Sequence, residues 1–186
     1  MILNEKQSRH EFVIQVARAM MGAARTAPKA KGVDNLEIVL VEGKELKHLA
    51  EKMHAYAEEL GRMFFHRDAE NVAASDAVVL IGTRLEAIGM DCGMCGFATC
   101  AEKSLHAKCP CAFNMNDLGI AVGAACALAA DHRIDSRVMY SVGLSAQRVG
   151  LIEGCHAVLG IPLSCTGKSP FFDRVSTRPA DAQATK

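Results

Sequence analysis

Five of the chain's eight cysteines, Cys92, Cys95, Cys100, Cys109 and Cys111, fall within one short stretch of a 186-residue sequence. The segment reads Asp91-Cys92-Gly93-Met94-Cys95-Gly96-Phe97-Ala98-Thr99-Cys100 and returns as Cys109-Pro110-Cys111. Its spacing is C-x2-C-x4-C followed by two candidates for a fourth thiolate. A cubane iron–sulfur cluster needs four deprotonated thiolates converging on one compact inorganic core. Two cysteines separated by two residues reach one site from a single turn. Gly93 and Gly96 leave the backbone free to wrap, with amide N–H groups able to point at sulfur. Cys100 is expected on a short helix beginning near Phe97, and the chain returns through Pro110 with the last ligand. Lys103, His106 and Lys108 lie between, where positive charge offsets that of a thiolate-bound cluster.

Other uses of these cysteines are weaker. Structural zinc sites usually pair two short C-x2–4-C or H-x3–5-H knuckles. The C-x-C half suits zinc poorly, and a four-thiolate zinc site stays open as the alternative. A disulfide scaffold needs a higher cysteine density, and a thioredoxin-like C-x-x-C has no use for three further cysteines nearby. The N-terminus, MILNEKQSRHEF, lacks the apolar region and cleavage site of a signal peptide. The longest uncharged apolar stretch, Leu118 to Ala130, falls short of the ~20 residues of a membrane span. A cytoplasmic protein is therefore expected, in a compartment where clustered cysteines bind metal or do redox chemistry. Lys and Arg number 21, as do Asp and Glu, so the net charge is zero. That removes the long-range attraction that nucleic acid or an anionic membrane would need. Half the residues are hydrophobic, which excludes a disordered chain.

Periodicity places the elements. Ser8 and Glu11 read as a capping box opening a helix with Phe12, Val13, Val16, Met20 and Ala24 on its apolar side. The basic loop Arg25 to Gly32 follows, then a buried strand, Leu36 to Val41. Leu46, Leu49, Met53, Tyr56 and Leu60 repeat at helical spacing up to a stop at Gly61. His48 and His54 receive no role there beyond a solvated face. Ala77 to Gly82 is a second buried strand. After the cysteines, Asn116 or Asp117 is expected to cap a helix ending near Ala130. Gly119, Gly123 and Ala127 give that helix a smooth stripe for close approach of another backbone. Asp135 or Ser136 is expected to start the next helix, ending near Gly154, and Ala157 to Leu163 is the third strand. The class is α+β: one domain over 1–175 with a small central sheet flanked by helices, a cysteine-rich insertion over 89–112, and a flexible tail over 176–186.

The DCGMCGFATC run, the CPCAF return and the DLGIAVGAA helix resemble the uncharacterised bacterial and archaeal family of ferredoxin-domain-containing proteins. The resemblance extends to AARTAPKAKGVDN near the start and GIPLSCTGKSPFFDR near the end. Similar C-G-x-C-G-x-x-T-C runs occur in the [4Fe–4S] domains of corrinoid iron–sulfur proteins. The resemblance implies one [4Fe–4S] cluster on Cys92, Cys95, Cys100 and Cys111, with Cys109 as an extra cysteine and the choice between the last two the least secure. The flanking parts resemble the FMN-binding nitroreductase-like fold, through Ala23 to Pro28 and Gly160-Ile161-Pro162. Such proteins are usually intertwined homodimers with flavin at the subunit interface. In that reading Arg25, Lys29, Lys168 and Arg174 supply charge to an FMN phosphate, which wants several converging donors; the competing reading makes them solvated loop charges.

Two further signals are discounted. Pro162 to Ser169 nearly matches a phosphate-binding loop, but Pro162 replaces its first glycine and has no N–H to give. Cys126, Cys155 and Cys165 read as packed or loop thiols. The expected function is one-electron transfer to an unknown redox partner, alone or as the iron–sulfur half of a flavin-dependent oxidoreductase. The rival is a non-catalytic protein whose metal only holds a binding surface together.

Overall fold

The uninterrupted apolar run Ala77 to Gly82 calls for cover on both faces, because alternate residues of a strand point to opposite sides. The structure, a computed structural model describing residues 2–172, supplies that cover. Four strands, β1 (Leu36–Glu42), β2 (Ala77–Thr83), β3 (Asp135–Ser136) and β4 (Ala157–Ser164), form one sheet in the order β1-β2-β4-β3. Every pairing is antiparallel, with Leu36 opposite Thr83 and Ala77 opposite Leu163. All seven residues of β2 are buried. Val79 and Ile81 face a core built with α1 (Glu5–Thr26) and α5 (Ala112–Asp131). Val78 and Leu80 face the opposite core, built with α2 (Gly43–Glu59), α3 (Phe64–Ala73) and α6 (Tyr140–Arg148). The fold is the expected α+β arrangement of a small sheet between helices, with α4 (Cys100–Ser104) in the cysteine segment.

Four elements differ from expectation, each for a local reason. The first helix is capped by Asn4, whose side chain accepts from the Lys6 N–H at 3.0 Å, and an Arg9–Glu5 pair one turn on supports the earlier start. Ser8 is inside the helix, with its hydroxyl on the Asn4 and Glu5 carbonyls. Residues 64–73, to which the sequence reading assigned no element, form α3, whose Phe65, Ala69 and Val72 are fully buried. Asp135 and Ser136 form an edge strand on β4 instead of opening a helix; the left-handed Arg133 (φ 59°) ends the preceding segment, and α6 starts only at Tyr140. α5 starts at Ala112 with Cys111 in the cap position, ahead of Asn116 and Asp117. By length and composition α5 is the one helix among the described residues that reaches what a membrane crossing requires. Here its Leu118, Ala121 and Ala125 pack into the core beside α1. The tail over 176–186 lies outside the described residues.

At the end of α1, Arg25 donates to the Asp34 carboxylate at 2.7 Å and to the Leu36 carbonyl at 2.9 Å. Burial works against the charged form of Asp34, yet the Arg25 guanidinium and the Leu36 N–H outweigh it and hold the carboxyl below its ordinary value. A depressed folded-state value gives stability that is complete above the ordinary carboxylate range and lost as pH falls through the folded value. Asp34→Asn is therefore expected to cost about 0.5 kcal/mol at pH 7, as for a half-exposed pair. The gap from the natural chain should narrow from about pH 4 downward, followed by urea unfolding.

Candidate metal centre

Residues 84–99 leave β2 without regular structure, and their carbonyls are gripped from three sides. Asn114, 1% exposed in the first turn of α5, donates to the Arg84 and Glu86 carbonyls at 3.0 and 2.6 Å. Asn35 donates to the Asn114 side-chain oxygen at 3.2 Å and to Glu86 at 3.4 Å. Lys31 reaches the Ile88 and Gly89 carbonyls at 3.4 and 3.3 Å. Asp117, read in sequence as a helix cap, is buried within α5 and accepts from the Ala30 N–H, which fixes the loop carrying Lys31. These positioning residues were missed in the sequence. Their signal is a pair of polar residues one turn apart, Asn114 and Asp117, at the start of an otherwise apolar helix.

On this support the cysteine segment winds tightly. Gly93 and Gly96 both take positive φ, 70° and 88°, where a side chain would be strained, and the Gly96 N–H closes a turn onto the Gly93 carbonyl at 2.9 Å. Asp91 (φ 46°) accepts from the Cys100 N–H at 2.6 Å, and its own N–H approaches the Cys100 sulfur at 3.4 Å. Thr99 caps α4 by accepting from the Glu102 N–H at 3.1 Å. The short helix thus begins at Cys100, three residues later than expected from Phe97.

Cys92, Cys95, Cys100 and Cys111 line one small cleft together with Asp91, Phe97 and Lys103; Cys109 is outside it and exposed. Cys111 is 5% exposed and stands at the N-terminus of α5. Burial alone would raise its pKa, but the N–H groups of Ile88, Asn114 and Phe113 and the ammonium of Lys103 outweigh it and hold the thiol below its ordinary value. Lys103 is itself 3% exposed, with its ammonium on the Leu85 carbonyl at 3.0 Å. His106 stacks on Phe97 with ring centroids 4.7 Å apart. Among the described residues no three His, Cys, Asp or Glu side chains are gathered tightly enough to share a single metal ion. Burial pushes the thiols of Cys126 and Cys155 up, as expected of packed cysteines.

Of the three described basic residues considered for a flavin phosphate, Arg25 and Lys29 both lie beside Asp34, and Lys168 stands apart from them. The Lys29 side chain is 6% exposed, and its ammonium folds back onto the carbonyls of Arg25 and Ala27 at 2.5 and 2.9 Å, where α1 leaves acceptors without helical partners. Arg25 is held by Asp34 and Leu36 at the end of the sheet where β1 begins. Lys168 follows β4, whose Leu163 pairs with Ala77 at the other end of the sheet. A seven-residue strand separates these ends by about 20 Å. Arg174 lies outside the described residues.

An uncharacterized protein from Archaeoglobus fulgidus is 46% identical over 182 residues, spanning 94% of this chain and 98% of that one. The model of the family described as "Uncharacterized protein containing a ferredoxin domain (DUF2148)" matches residues 107–174. The chain belongs to this family. Among solved structures, the ferredoxin-domain protein is similar to the FMN-dependent nitroreductase NfnB from Mycobacterium smegmatis, solved with NADPH. That match has a TM-score of 0.60 at 14% identity, over 93% of this chain and 87% of that one. A nitroreductase with bound FMN from Desulfitobacterium hafniense matches with a TM-score of 0.56 at 13% identity, over 100% and 99% of the two chains. A BluB-like flavoprotein from Clostridium difficile matches at 0.54 and 16%, over 92% and 88%. The fold of this ferredoxin-domain protein is nitroreductase-like, and identities this low speak to fold alone.

Proposed function

We propose that this ferredoxin-domain protein binds one [4Fe–4S] cluster through Cys92, Cys95, Cys100 and Cys111 and transfers single electrons. The observation that carries the reading is that these four cysteines, and not Cys109, line the cleft that also holds a buried lysine. The donor set fits the group. Four thiols give soft ligands for iron, and each would bind a different iron, so they need not crowd a single point. A tetrahedral zinc with bonds of about 2.3 Å would pull its sulfurs to within about 3.8 Å of one another. Lys103 places a positive charge where thiolates gather, and Asp91 orients Cys100 through its N–H. When bound, such a cluster supplies one-electron chemistry. Cys92 is exposed and Cys95 and Cys100 are half-buried, so the cleft opens on the surface that an electron partner would meet.

The nitroreductase-like fold favours a second reading, in which the protein is the iron–sulfur half of a flavin-dependent oxidoreductase in the cytoplasm. Within one chain Arg25, Lys29 and Lys168 build no phosphate site, so flavin chemistry is not assigned to them. Anaerobic purification followed by iron, sulfide, zinc and flavin analysis tests both readings, with EPR spectra before and after dithionite. About four irons and four sulfides per chain with a reducible signal are expected. Zinc without iron, in protein never exposed to oxygen, would overturn them and leave a metal-stabilised binding protein.

A homodimer belongs to the same proposal. The outward side of α5 is apolar, with Met115 and Ile120 about two-fifths exposed beside Gly119, Gly123 and Ala127. A Cβ added at Gly119 or Gly123 meets nothing within 4 Å in the single chain. Alanine there improves helix propensity by up to ~1 kcal/mol per site, so it harms only where a second backbone lies against the stripe. Gly119→Ala/Gly123→Ala is expected to shift a dimer toward monomer in sedimentation without lowering the monomer's own stability.

A further inference from the structure

On the face of the sheet away from the α1–α5 layer, the antiparallel helices α2 and α3 each carry a histidine followed four residues later by a glutamate. These are His54-Ala-Tyr-Ala-Glu58 and His66-Arg-Asp-Ala-Glu70. The pairs cross between the helices. His54 Nε2 meets the Glu70 carboxylate at 3.2 Å, and His66 Nε2 meets Glu58 at 2.7 Å. The two Nδ1 atoms are then left facing each other 2.8 Å apart, with ring centroids separated by 5.1 Å. The reading of His54 as a solvated side chain is corrected by this contact.

The protonation of the quartet follows from its contacts. A carboxylate only accepts, so His66 donates its Nε2–H to Glu58 and leaves its own Nδ1 as an acceptor. One of the two facing Nδ1 atoms must then donate, and His54, whose Nε2 lies beside Glu70 without a directed hydrogen bond, can carry that proton on Nδ1. The glutamates add two negative charges that, among the described residues, meet no lysine or arginine: Arg62 is turned to the Tyr140 hydroxyl and Arg67 to Asp68. Histidines whose outer N–H is held by a carboxylate, with the other nitrogen free to ligate, form the usual support of imidazole metal sites.

We propose that His54 and His66 form a surface site for a divalent transition-metal ion of the zinc–nickel–copper class, bound through both Nδ1 atoms. Imidazole suits these ions. Bonds of about 2.0–2.1 Å at a tetrahedral angle set the two nitrogens about 3.3 Å apart, so the rings separate by about half an ångström, which side chains one-third exposed can accommodate. The ion takes the place of the proton between the rings, and that proton moves to His54 Nε2, beside the Glu70 carboxylate. No bond between carbon atoms or change of oxidation state is involved. Water fills the remaining positions. The site stands apart from the cysteine cleft and does not rest on how that cleft is read.

The test uses the full chain with its cysteine-bound metal in place, and Zn²⁺ as the probe. Equilibrium dialysis should show one more zinc in the natural chain than in His54→Gln or His66→Gln. Nitrogen NMR of the imidazoles should show the Nδ1 signals of His54 and His66 moving with zinc, with both Nε2 atoms protonated in the zinc-bound form, and the other five of the seven histidines unchanged. Glu58→Gln, on an exposed side chain that the fold does not need, should weaken zinc binding about 10-fold or more. Equal zinc counts in the natural chain and a folded His54→Gln protein would overturn the proposal. So would His54 and His66 spectra that zinc leaves unchanged, a reading on the natural chain that decides even where a histidine variant fails to fold.

Discussion

Cys111→Ser is expected to strip the cysteine cleft of its metal, while Cys109→Ser retains iron and sulfide at the level of the natural chain. The two residues are one proline apart in sequence but in different surroundings. Cys111 is buried at the head of a 20-residue helix, with its sulfur toward the N–H groups of Ile88, Phe113 and Asn114 and the ammonium of Lys103. Those donors favour an anion, and a thiolate is the ligand that iron takes most readily. A serine hydroxyl occupies the same donors as a neutral group, so the fold survives and the fourth ligand is lost. Cys109 is exposed, and only its backbone N–H, on the His106 carbonyl at 3.0 Å, takes part in the local structure. Iron and sulfide analysis of the two variants, purified anaerobically, reads the difference as about four irons per chain against fewer than about one. Loss of iron from Cys109→Ser with retention in Cys111→Ser would reverse the assignment.

The contrast marks how far sequence reasoning reaches here. The three longer strands were legible because continuous β-branched runs bounded by turns have few other uses, and α2 because its apolar residues keep helical spacing to Gly61. The third helix, α3, was hidden behind Phe64-Phe65-His66-Arg67, whose apolar residues show their period only once Phe65, Ala69 and Val72 are seen to be fully buried. The cysteine spacing named candidates but not their surroundings. Lys103 lies three residues beyond Cys100, and nothing in that position foretells that its ammonium is buried beneath the cleft. Asp117 read as a capping residue because such side chains favour helix ends, and Asn114 received no reading. Tertiary contact gave them different acceptors and donors, the carbonyls of residues 84 and 86 and the N–H of Ala30. The surroundings of Lys29 were hidden for a similar reason: within one chain the end of its own helix holds its ammonium.

Gly143→Ala is expected to be the most destabilising single-methyl change in the chain, at about 3 kcal/mol or more. α6 lies directly on β4, and a Cβ at Gly143 would stand 1.9 Å from the Val158 carbonyl oxygen and 2.4 Å from its carbon. Both are backbone atoms of a strand paired to β2 on one side and β3 on the other, so no side-chain rotation relieves the clash. The helix has to lift, and lifting it strains the 2.5 Å hydrogen bond from Ser141 to the buried Asp68 and opens the core around Val142 and Ala146. Thermal unfolding should show a midpoint lower by about 6–12 °C for a chain of this size. The same alanine at Gly123 meets no atom within 4 Å, so the difference between the two sites lies in backbone approach and not in helix propensity, which favours alanine at both. The cysteine loop is held from α4, α5 and the residues ahead of β1, none of them part of α6. Gly143→Ala protein that remains folded at low temperature should therefore carry the same iron per chain as the natural protein. Iron loss in parallel with stability would mean that the cleft depends on the whole sheet and not on its own local supports.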